Sequence, residues 1–134
     1  TGSRDLLDEL RIAYESSTIE RDQLLPMVTS RAADVVRQPQ LGRIAAGAPA
    51  DLILLPAVAA SPGDALLATA RRDIALVVVG GRPMIAGEAL APLFGARGTA
   101  PRALRVDGVA KVADPALARR IASCAIAEAG VMAA

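Results

Sequence analysis

Apolar residues open the chain at helical spacing. Leu6, Leu10, Ala13 and Tyr14 fall on one face, Leu7 widens the stripe, and Asp8, Arg11 and Glu15 point away from it. Residues three and four apart share a face of a 3.6-residue helix, so the pattern predicts an amphipathic helix over 4–16. Ser3 is placed to cap it, with Asp5 in the first turn. Ser16-Ser17-Thr18 interrupts the period. A second helix follows with Leu25, Val28, Ala32, Val35 and Val36 along one side. Pro26 is expected in its first turn, where a missing N–H costs nothing, and Pro39 stops it.

Beyond Pro39 the period changes. Gly42, Gly47 and Pro49 mark turns around a short extended segment at Ile44. Leu52-Ile53-Leu54-Leu55 has no polar position on either face, which predicts a strand buried on both sides. Pro56 and Pro62-Gly63 close it, and 64–71 is expected to form a short helical turn. Ile74-Ala75-Leu76-Val77-Val78-Val79 is the clearest strand. Gly80-Gly81 supplies the two positive-φ residues of a type I′ turn, and 82–86 returns as its partner. Pro83 has no N–H for a ladder, so the returning strand is expected at an edge, or to begin after the proline. A loop over 95–101 leads to a weakly alternating hairpin around Asp107-Gly108. The last helix opens at Asp114-Pro115 and carries Leu117, Ile121, Cys124 and Glu128 on to Gly130. The order predicts an α+β fold without internal repeats, in which the strand at 52–55 lacks obvious neighbours.

Composition sharpens that picture. In 134 residues Tyr14 and Phe94 are the only aromatics, so the core is built from Leu, Ile, Val and Ala. A whole Val or Leu contributes roughly 1.5–3 kcal/mol when buried. A freestanding domain built this way is expected to be modestly stable and to have something packed against it. The net charge is +1, from 15 basic and 14 acidic residues interspersed, which leaves no field to attract nucleic acid or an anionic membrane. Arg71-Arg72 and Arg119-Arg120 read as solvated helix or loop ends. A single cysteine, Cys124, rules out an internal disulfide and makes a reducing, cytoplasmic setting the default. It is expected as a small core residue on the inner face of the last helix. The apolar run over 74–79 is far shorter than the ~20 residues that span a bilayer, and Thr1-Gly2-Ser3-Arg4-Asp5 is no signal peptide. Without an initiator Met, the chain is expected to start inside a longer product or after processing.

The side-chain inventory excludes much chemistry. There is no histidine, which removes Ser-His-Asp and Cys-His nucleophile systems and histidine-bound zinc. One cysteine cannot form a thiolate zinc site, and no Asp-rich calcium loop is present. Gly42 and Gly47 have the spacing of a phosphate loop, but Ala48-Pro49 stands where Lys and Ser/Thr are required. Gly80-Gly81 lacks the third glycine of a dinucleotide fingerprint. Asp5 and Glu9 are four apart on the first helix and Asp8 can pair with Arg11, which reads as a solvated, charge-laced face. These side chains assemble no active site.

The segment Gly42-x-Ile44-x-x-Gly47-x-x-Ala50-Asp51, followed by Leu52-Ile53-Leu54-Leu55, resembles the passage by which amidohydrolase-superfamily enzymes leave their catalytic barrel for a small β-sandwich. Met27-Val28-Thr29-Ser30-Arg31-Ala32-Ala33 resembles the helix before it. Val77-Val78-Val79-Gly80-Gly81-Arg82-Pro83-Met84-Ile85 is similar to the final sandwich hairpin, and residues 1–11 to the helix after the last barrel strand. The resemblance covers 1–88. It implies an α+β fragment, with 1–40 as the last helices of a (β/α)8 TIM-type barrel. Residues 41–94 then form the C-terminal part of a composite β-sandwich, and 95–134 a loop, a possible hairpin and a terminal helix.

The family's barrel holds one or two metal ions, usually zinc, through histidines and an aspartate that would all precede Thr1. The resemblance thus implies a parent hydrolase in which metal-activated water attacks a carbon bearing nitrogen, leaning to the aminohydrolase and chlorohydrolase-like branch with amidine, guanidine or heterocyclic substrates. This chain would hold no metal or catalytic residue and would be inactive alone, zinc or another divalent metal belonging to the parent. Thr1, Gly2, Ser3 and Arg4 would continue the loop at the catalytic mouth and are candidates for contact with a small-molecule substrate. Asp51 would open a sandwich strand and make a structural hydrogen bond. The implied partners are the missing N-terminal half or another copy of the chain, in a homo-oligomer. The competing reading is a non-catalytic binding or oligomerisation module that self-associates through an open edge of the hairpin over 74–86.

Overall fold

The computed structural model describes residues 5–57 and 61–133. Among them the fold is α+β, with helices α1 (Leu6–Ser16), α2 (Arg21–Val28), α3 (Ser30–Val35), α4 (Pro62–Ala68), α5 (Pro92–Gly95) and α6 (Pro115–Ser123). The strands β1 (Leu52–Leu54), β2 (Leu76–Val79), β3 (Arg82–Gly87), β4 (Arg102–Val106), β5 (Val109–Ala113) and β6 (Val131–Ala133) form one open antiparallel sheet in the order β1-β2-β3-β5-β4-β6. The sheet runs unbroken across 94/95, because β3 pairs with β5.

The helical layer forms where the first apolar stripe folds back on itself. Leu10, Leu24 and Leu66, from α1, α2 and α4, are buried together, flanked by Leu7, Tyr14, Ile19, Val28, Leu55 and Leu67. The cap of α1 is Asp5, whose carboxylate accepts the Leu7 N–H at 2.9 Å; Ser3, the expected cap, lies outside the described residues. The second helix is two helices. Thr29, at φ −126° and ψ −99°, separates α2 from α3, and Pro26 stands near the end of α2 instead of in its first turn. Without an N–H, Pro26 gives nothing to the carbonyl four residues back, and α2 ends two residues later. The apolar stripe past the break is not buried: Val35 is 82% exposed.

Ile44, between Gly42 and Gly47, belongs to no strand of the sheet and is almost fully exposed. Two further expectations change. Pro62-Gly63 does not end β1 but opens α4, with Ser61 as cap accepting the Asp64 N–H at 3.1 Å. The last helix stops at Ser123. Cys124 is extended and exposed, not a core residue, because the chain must turn back through Gly130 (φ 79°) for β6 to pair with β4. That pairing encloses the second core, Leu104, Val106, Ala113 and Ala118, with Ile121 and Val131 against it.

Both tight turns form from the residues that favour them. Gly80 and Gly81 have φ of 55° and 73°, and Asp107 and Gly108 of 48° and 81°. Pro83 does not place its strand at an edge, since β3 lies between β2 and β5. Yet β5 pairs only with Ile85, Ala86 and Gly87, so the missing N–H falls where β3 has a single neighbour. The hairpin over 74–86 is covered by β1 along β2 and by β5 along the end of β3, which leaves Arg82 and Pro83 without a second strand beside them. The outer strands of the sheet are β1 and β6. The expectation that β1 is buried on both faces is overturned: Leu52, Ile53 and Leu54 are 42%, 63% and 51% exposed. Among the described residues no helix is long and apolar enough to cross a membrane.

Lys111, the chain's sole lysine, is buried within β5, its Nζ donating to the Ile74 carbonyl at 2.8 Å. Burial pushes its pKa down, opposed by the nearby Asp73. The unfolded chain therefore binds this proton more readily, so folding stability rises as pH climbs from the folded value to the ordinary lysine range. Urea midpoints taken across that alkaline window should increase for the wild type. Lys111→Met should remove this component of the slope, and an unchanged slope would mean the amine is hydrated.

Candidate functional site

The motif residues converge at the tip of the β2–β3 hairpin. The Asp51 Oδ1 accepts the Gly80 N–H at 2.6 Å, the Gly81 N–H donates to the Ala50 carbonyl at 2.9 Å, and Arg97 donates to the Gly81 carbonyl at 2.7 Å. Three separate segments are thereby clasped: the entry to β1, the turn, and the loop after α5. The Gly80 N–H thereby meets a carboxylate, a stronger acceptor than the neutral carbonyl that takes the Gly81 N–H. Asp51→Ala should cost about 1 kcal/mol of stability. It should also speed hydrogen exchange at Gly80 more than at the β4–β5 turn. Equal exchange at Gly80 in both proteins would show that Asp51 does not hold the turn.

The first half of the motif does not join this clasp. Gly42 (φ 66°) sits against the Thr29–Ser30 backbone, so closely that a Cβ would overlap the Thr29 carbonyl. Gly47 (φ 81°) turns in open space, and Ile44 is exposed between them. Thr1, Gly2, Ser3 and Arg4 lie outside the described residues.

Spacing gave no sign of a second cluster. Arg71, in the 3₁₀ turn Arg71–Asp73, lays its guanidinium along the Asp107 carboxylate, with Nε and Nη2 at 2.8 and 2.7 Å from the two oxygens. Nη1 reaches Glu128 at 2.8 Å, and Nη2 also donates to the Ala129 carbonyl. Arg71 is therefore no solvated loop end, whereas Arg72 is more than half exposed. Asp5 and Asp8 line the same cleft of about 300 Å³. The Arg71 hydrogen bonds hold Asp107 below the usual carboxylate range, and the same bonds raise Arg71. An arginine that stays protonated and a carboxylate kept anionic make a tie, not an acid–base pair.

A broad cleft of about 830 Å³ opens beside the α1–α2 turn, lined by Tyr14, Ser17, Arg21, Asp22 and Ser61 among others. Arg21 donates to the Tyr14 hydroxyl at 2.9 Å and to Asp64 at 2.5 Å, which links α2 to α1 and α4. On α1 itself Asp8 pairs with Arg11, whose guanidinium also holds the Leu67 and Thr69 carbonyls.

Among the described residues no group of three or more His, Cys, Asp or Glu is disposed to hold a metal. With no histidine and one exposed cysteine, these donors do not fit a zinc centre. Searches of family models, curated proteins and solved structures find no match to the chain.

Proposed function

We propose that this chain is the C-terminal part of a metal-dependent hydrolase of the amidohydrolase superfamily, acting on carbon–nitrogen bonds by metal-activated water. In this reading α1, α2 and α3 are the last helices of its barrel and β1 with the β2–β3 hairpin is part of its composite sandwich. The zinc and its ligands belong to polypeptide before Thr1, and the substrate is a small molecule of amidine, guanidine or heterocyclic type. A cytoplasmic, homo-oligomeric parent completes the reading, the lone cysteine favouring the reducing compartment.

One observation carries it. β1 is apolar at every position and pairs with β2 on one side only, and all three of its residues are exposed. A strand with no polar face on a sheet edge exposes both side chains and backbone groups unless other polypeptide covers it. The clasp of Asp51 on Gly80 supports the reading further by fixing the entry to that strand.

The residues encoded before Thr1 provide the test. The expectation is a Gly-Ser/Thr-Asp ending directly upstream and histidine pairs farther back. The longer product should bind zinc stoichiometrically, release ammonia from amidine or guanidine substrates, and lose activity to a chelator. In that product the Ile53 amide should be protected from exchange, and in residues 1–134 alone it should not. An upstream sequence without histidines, or stoichiometric zinc on the 134-residue chain, would defeat the proposal. The competing module reading keeps one physical basis, moved from the hairpin to β1: its open edge also admits a second copy of the chain. A stable homo-oligomer of the 134-residue chain with Ile53 protected would favour that reading instead.

A further inference from the structure

We draw no further inference here: the strongest candidate, the open apolar edge of the sheet at β1, already carries the proposed function, and nothing in the structure shows what covers it.

Discussion

Phe94→Ala is expected to lower the folding free energy by about 3–5 kcal/mol, the range for a buried aromatic truncated in a packed core. Phe94 is the largest fully buried side chain among the described residues, at 1% exposure. It comes from α5, a helix of only four residues that lies against β3. The surroundings of so fully enclosed a ring relax only in part when it is removed, so most of the cavity penalty should persist. The backbone at Phe94 is an anchor as well. Its N–H donates to the Ala91 carbonyl at 3.1 Å, and its own carbonyl accepts the Arg97 and Thr99 N–H groups at 3.0 and 3.1 Å. Loosening α5 should therefore reach Arg97 and weaken its hold on the hairpin tip. Native domains are stable by roughly 5–15 kcal/mol, so in a domain at the low end of that range this loss would leave a substantial unfolded population at room temperature. Phe94→Leu, which keeps much of the volume, should cost about 1 kcal/mol. Urea unfolding followed by far-UV circular dichroism checks both. An alanine variant as stable as the parent would mean that α5 does not seal this face of the sheet.

Features set by neighbouring residues were readable in the sequence. Gly80-Gly81 and Asp107-Gly108 turn as their φ preferences require, and Asp114-Pro115 caps α6 through carboxylate bonds to the Ala116 and Leu117 N–H groups. The Leu6, Leu10 and Tyr14 stripe likewise marked a real helix, though only Leu10 is fully enclosed. Features that depend on distant chain were not readable. Three residues give β6 no period to detect, and it is a strand because β4 offers an edge. Pro83 correctly signalled a missing donor, but where β5 would stop was not written near it. Arg71 meets Asp107 and Glu128 across 36 and 57 residues, and no spacing rule reaches that far. β1 shows both sides of the matter. Its pattern read truly as a strand, but its three residues are exposed, because which strand ends at the edge of a sheet is a tertiary property that local pattern does not carry. The candidate site divides the same way: Asp51 and the two glycines meet at one tip, whereas Gly42 and Gly47 take positive φ elsewhere with Ile44 exposed between them.

Gly63→Ala sets helix propensity against packing, and packing should win. Alanine is the better helix former by about 1 kcal/mol, and the backbone at Gly63 needs no positive φ, so propensity alone predicts a gain. Yet Gly63 is buried in the first turn of α4, against the first residue of α2. A Cβ there would overlap the Arg21 carbonyl and stand 3.2 Å from the Arg21 Cβ. A carbonyl bound into the helix backbone cannot rotate aside as a side-chain end could, so the two helices must separate. One turn along from this contact lie Leu24 and Leu66, two of the three residues at the centre of the helical core. The Arg21–Asp64 ion pair spans the same crossing and would open with it. Overpacking costs typically 1–3 kcal/mol and sometimes more, and a net loss of about 3 kcal/mol is expected here. Gly95→Ala is the matched control, because a Cβ at that helix end meets nothing within 4 Å, and it should be neutral or slightly stabilising. Should Gly63→Ala unfold at the same urea concentration as the parent, α2 and α4 do not approach through this glycine, and the helical layer is assembled differently.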